Sequence, residues 1–186
     1  MSMMKHVPNS LSLFRMAVTP LIAALMLYSK LGQDFGFWAA AGLFLLAALT
    51  DAFDGALARR YDIVSDFGKF IDPIADKFLV ISVMVAFLVI DSGSQLLMVW
   101  PVLIVLAREF IIMSVRLPAA AAGIVMPANI WGKAKTVTQL VAIAAYFVFF
   151  PAGHAIVGQV LIWISAVIAF ISAATYVADY RRLRKG

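Results

Sequence analysis

Six stretches of this chain, at about 10–29, 36–59, 68–90, 96–117, 131–150 and 153–178, stay apolar for close to the length of a membrane span. About 20 residues at a rise of about 1.5 Å each cross the ~30 Å hydrocarbon core of a bilayer. Lipid offers backbone N–H and C=O groups no hydrogen-bond partner, so only helices and closed barrels cross it. These runs lack the two-residue alternation of a barrel strand. The pattern predicts an all-α integral membrane protein of six transmembrane helices, a single membrane domain over residues 1–186. Composition agrees, at 64% hydrophobic and 13% charged, where a soluble domain is roughly half apolar and a quarter charged.

Turn-forming residues separate the runs at Gly32–Gly36, Asp62–Asp66, Asp91–Ser94, Pro118–Pro127 and Pro151–Gly153. The small apolar piece Ala119–Gly123 is expected to pack at the surface rather than to span. Lys5 and His6 precede the first run as they would in a signal peptide, yet no small-residue cleavage site follows Tyr28-Ser29-Lys30-Leu31-Gly32. The first run therefore reads as an uncleaved span. With no cysteine, the chain has neither a disulfide framework nor a thiolate metal site.

The net charge of +5 is dispersed between apolar runs. That dispersal argues against a nucleic-acid partner and for anionic lipid head groups. With both termini on one side, every Lys and Arg except Lys30 falls on that side, which makes it cytoplasmic.

On the same side lie Asp51, Asp54, Asp72 and Asp76. Carboxylates at a bilayer boundary are costly and call for a partner or a task. Spacings of three and four put each pair on one helical face, one turn apart. The short connection between the two runs makes their helices antiparallel neighbours, so both pairs can converge. Oxygen ligands without His or Cys select magnesium, manganese or calcium, and four carboxylates suggest two ions about 3.5–4 Å apart. Gly55 and Gly68 allow close approach of a ligand to backbone, Ala58 leaves space, and Arg59 offers a planar fork to phosphate. The plainer alternative is that Asp–Arg pairs neutralise each other at a helix end and small residues pack helices.

The string Asp51-x2-Asp54-Gly55-x2-Ala58-Arg59-x8-Gly68-x3-Asp72-x3-Asp76 resembles, at every fixed position, the signature of the CDP-alcohol phosphotransferase family. The resemblance implies transfer of a phosphatidyl group from CDP-diacylglycerol, or a related CDP-alcohol, to a hydroxyl, with release of CMP. It implies two Mg2+ ions (Mn2+ being the alternative) on Asp51, Asp54, Asp72 and Asp76, with Asp76 also the base for the acceptor hydroxyl. Gly55, Ala58, Arg59, Ser65 and Gly68 would border the CDP portion. Pro8-Asn9-Ser10-Leu11-Ser12 resembles the family's entry to its first helix, which brings Asn9 and Ser12 to the nucleotide; Ser12 stands where many relatives have threonine. The family resemblance also implies a homodimer.

The acceptor has to be read from the remaining cations. Arg108 lies deep in the fourth run, Arg116 follows two turns later, and Lys133 and Lys135 open the fifth run. Helix N-termini favour anions and lysines strengthen that preference, so the four suit a phosphate-bearing acceptor. The alternative is that they snorkel and mark the interface. Glu109 reads as orienting Arg108 or Lys135 rather than as a catalytic acid. Ala107-Arg108-Glu109, Arg116 and Gly132-Lys133-x-Lys135-Thr136 are similar to bacterial phosphatidylglycerophosphate synthases, which implies sn-glycerol 3-phosphate as acceptor in a bacterial inner membrane. Cardiolipin synthases, which use phosphatidylglycerol, share similar segments, and inositol-phosphate acceptors are anionic too. A choline or ethanolamine acceptor would call for a cation-binding pocket instead. Outside this chemistry, a divalent-cation transporter would also carry carboxylates in its spans, but would need polar groups through their opposite half, which is nearly bare. His6 and His154 lie near opposite faces and read as no metal site, and the Arg181–Lys185 cluster reads as a lipid anchor.

Overall fold

A computed structural model of the chain contains six helices: α1 (Val7–Ser29), α2 (Asp34–Tyr61), α3 (Asp66–Ile90), α4 (Gln95–Ala121), α5 (Ile130–Phe149) and α6 (Ala155–Leu183). The structure describes the backbone of residues 7–29, 34–61, 66–91, 95–121 and 130–183. Within these it describes the side chains outside 7–11, 34, 51–61, 66–73, 95–96, 117–118, 120–121 and 183. Among the described residues there is no strand, so the fold is all-α. Three stretches there are long and apolar enough to cross a membrane, Ser12–Ser29, Leu97–Arg116 and Ala155–Arg182; Phe35–Thr50 is apolar but shorter.

The helices gather into two compact units, Met1–Gly93 and Ser94–Gly186. In the first, α1 packs along both α2 and α3; in the second, α6 packs along both α4 and α5. Each central helix shows why. On α1 the residues Ser12, Arg15, Thr19, Ile22 and Met26 are buried at spacings of three and four, while Leu13, Phe14, Leu21 and Leu27 are exposed on the other side. On α6 the buried face is Gly158, Ile162, Ser165, Ala166, Ala169, Ser172, Ala173 and Tyr176.

Lipid is as apolar as leucine, so helices in a bilayer associate through close packing of small residues rather than through the hydrophobic effect. At Gly158 an added Cβ would lie 2.5 Å from Tyr146 Cδ2 and 2.8 Å from Tyr146 Cα. That glycine lets α6 lie directly on α5. Gly36 does the same between α2 and α1, where a Cβ would stand 2.9 Å from the Leu25 carbonyl oxygen. The outward faces carry Phe35, Trp38, Leu45, Leu46, Phe110, Val137 and Phe170, all exposed. Such a surface would aggregate in water and matches acyl chains.

One expected break moves. Pro118 does not end the fourth helix, which runs on to Ala121. A proline near a helix end removes only its own N–H from the ladder, and membrane helices tolerate that loss. Ala119, expected at the surface with the small apolar piece, is instead 1% exposed. Its methyl group fits where the continuing helix packs.

Candidate active site

The motif occupies the end of α2 and the beginning of α3. Four residues separate α2 from α3, and both helices pack on α1. Counting from that connection, Asp51 lies ten residues before Tyr61 and Asp76 ten residues after Asp66. Asp54 lies seven before and Asp72 six after. At a rise of about 1.5 Å per residue, the first pair of positions stands ~15 Å from the connection and the second ~10 Å. Counted along each helix, the two pairs of carboxylate-bearing positions thus stand at similar distances from the connection.

The side chains of Asp51, Asp54, Asp72, Gly55, Ala58, Arg59, Gly68 and Asn9 lie outside the described residues, and Ser65 lies wholly outside them. Of the sequence-derived set in this unit, Asp76 and Ser12 are described. Asp76 is half-buried, and Ser12 is 1% exposed. One turn beyond Ser12 stands Arg15, also 1% exposed and the largest fully buried side chain described. Measured along the helices from the α1–α2 connection, Arg15 is ~21 Å and Asp51 ~26 Å away, about one turn of pitch apart. The charge bias counts Arg15 only with the basic residues of the cytoplasmic side. It is a buried guanidinium.

In the second unit the basic residues divide. Arg108 and Lys135 meet: Glu109 Oε1 accepts from Arg108 Nη1 at 2.9 Å and from Lys135 Nζ at 2.7 Å. Arg108 Nη2 donates to Ser172 Oγ at 3.0 Å. The cluster joins α4, α5 and α6, and its four side chains are buried. Arg116 and Lys133 stay exposed. Arg116 lies over the buried Tyr176 ring at 5.8 Å from its centroid, close enough for a cation–π attraction.

The family model for CDP-alcohol phosphatidyltransferase matches residues 5–171, which takes in the whole motif and both basic pairs. The chain belongs to the CDP-alcohol phosphatidyltransferase family. Among its relatives, the CDP-diacylglycerol–glycerol-3-phosphate 3-phosphatidyltransferase of Rickettsia typhi is 35% identical over 93% of this chain and 96% of its own length. The protein of the same name from Bacillus subtilis is 35% identical over 76% of each chain. A probable phosphatidylglycerophosphate synthase of Mycobacterium tuberculosis is 33% identical over 93% of this chain and 80% of its own length.

Membership of a phosphatidyltransferase family makes the chain an enzyme of lipid group transfer. Its donor set suits a hard divalent cation: the four motif positions are all carboxylates, carried on continuous helix. Sequence reasoning missed Ser172 and the burial of Arg15. A serine inside the most uniformly apolar run was the available signal for the first, since a polar group at that depth needs a reason.

Proposed function

We propose that this phosphatidyltransferase moves the phosphatidyl group of CDP-diacylglycerol onto sn-glycerol 3-phosphate, giving phosphatidylglycerophosphate and CMP. The acceptor hydroxyl oxygen attacks the phosphorus that carries the diacylglycerol. The bond from that phosphorus to the bridging oxygen breaks, CMP leaves with the electron pair, and the hydroxyl proton passes to the Asp76 carboxylate. Gly55, Ala58, Arg59, Ser65, Gly68, Asn9 and Ser12 bind and orient the CDP portion. Asp51, Asp54, Asp72 and Asp76 would hold two Mg2+ ions, which would supply positive charge to offset that of the diphosphate.

The acceptor assignment is carried by one observation, the buried pair of cations Arg108 and Lys135 sharing the single carboxylate of Glu109. Two positive charges against one negative suit an acceptor that brings its own phosphate. Arg116 and Lys133, exposed nearby in sequence on α4 and α5, add to the attraction of an anion. The names of the relatives from Rickettsia typhi and Bacillus subtilis agree with that acceptor. The chain works as one catalytic domain in a bacterial cytoplasmic membrane, with both termini and the motif facing the cytoplasm. The exposed Arg181 and Arg182 of the last turn of α6 meet anionic head groups there. A homodimer follows from the family resemblance.

The test is CMP release by purified protein with Mg2+ and CDP-diacylglycerol, with sn-glycerol 3-phosphate, phosphatidylglycerol and inositol phosphate offered in turn. Release is expected with glycerol phosphate. Release with phosphatidylglycerol or inositol phosphate alone would overturn the acceptor, and no release with any alcohol would overturn the transfer.

A further inference from the structure

We propose that Glu109 and Ser172 are positioning residues that hold Arg108 and Lys135 as a preformed clamp for the acceptor's phosphate, an assignment that rests on the acceptor reading above. The guanidinium of Arg108 is tied at both terminal nitrogens. Nη1 is held by the neighbouring Glu109 at 2.9 Å, and Nη2 by Ser172 of α6 at 3.0 Å. The ammonium of Lys135 is drawn from α5 to the same carboxylate oxygen at 2.7 Å. Exposure is 8% for Arg108, 7% for Glu109, 7% for Lys135 and 0% for Ser172, so long side chains that elsewhere sample many rotamers have one arrangement here.

The charge does not close within these four groups. Glu109 offsets one of the two cations, and a buried excess charge is costly until an anion joins it. A donor also remains: Arg108 Nε is buried and has no hydrogen-bond partner among the described residues. A cluster built only to tie three helices together would not need the spare N–H. Gly132 completes the arrangement. A Cβ there would stand 3.5 Å from Arg108 Nη2 and 3.9 Å from Ser172 Oγ, so its absence leaves the flank of the guanidinium clear of side chain. Pre-organisation of this kind raises affinity by removing the ordering cost from the binding step.

The experiment measures KM for each substrate, together with kcat and the thermal midpoint, in Glu109→Gln, Ser172→Ala and Lys135→Met. Glu109→Gln should raise KM for sn-glycerol 3-phosphate about ten-fold and Ser172→Ala about three-fold, the scale of one hydrogen bond to a charged group. KM for CDP-diacylglycerol should stay within about two-fold, since a positioning role acts on one substrate only. If Lys135→Met raises the acceptor KM while the other two leave it unchanged, the positioning roles are overturned and the acceptor reading stands. If all three leave it unchanged, both are overturned. Equal rises for the two substrates with a lowered thermal midpoint would mean a structural tie and also overturn the proposal. Should Glu109→Gln fail to fold, Ser172→Ala, which removes a single hydroxyl on a helix, decides.

Discussion

At the residue scale, Asp76 bears the most weight, as the one motif carboxylate assigned both to a cation and to the acceptor's proton. Asp76→Asn keeps the size of the side chain and removes its basicity. It should lower kcat by about 10^2–10^4-fold, the usual contribution of a general base, while CDP-diacylglycerol still binds. Full activity in that variant would refute the assignment. The motif itself was legible because its information is spacing, and the i,i+3 and i,i+4 rule needs no tertiary knowledge; the side chains of Asp51, Asp54 and Asp72 lie outside the described residues. Glu109 as a shared acceptor was half legible, since a lone acid among cations must orient one of them. Ser172 and the burial of Arg15 were not. In a membrane helix the apolar faces do not say which one turns inward, and that choice decides whether a cation snorkels or is enclosed.

At the element scale, the helices could be read from run length alone, and their ends fall within a few residues of expectation except at the end of α6, which runs on to Leu183, and at Pro118. There a single lost N–H weighed less than continued packing around Ala119. Close approach of helices is what the sequence concealed. Gly158 is one of 11 glycines and nothing near it in sequence marks it, yet it lies against the ring and Cα of Tyr146. Gly158→Ala should therefore destabilise the second unit by about 1–3 kcal/mol, as overpacking of a filled core does. Thermal unfolding in detergent measures this, and an unchanged midpoint would mean that α5 and α6 are not in close contact at that level. Gly42, with open space around it, should accept alanine without loss.

At the scale of the whole molecule, the bias of basic residues predicts the orientation, with Lys30 alone opposite the others. The absence of cysteine makes the natural chain a ready background for labelling. Lys30→Cys should react in intact cells with a membrane-impermeant thiol reagent, and Lys185→Cys only after the cells are opened. The reverse pattern would put the motif on the wrong side for a cytoplasmic nucleotide lipid. A phosphatidyl transfer between the two proposed substrates is stoichiometric. Purified protein given Mg2+, CDP-diacylglycerol and labelled sn-glycerol 3-phosphate should place one label in the lipid phase for each CMP released, and Asp76→Asn should do neither. CMP appearing while the label stays in water would contradict that claim.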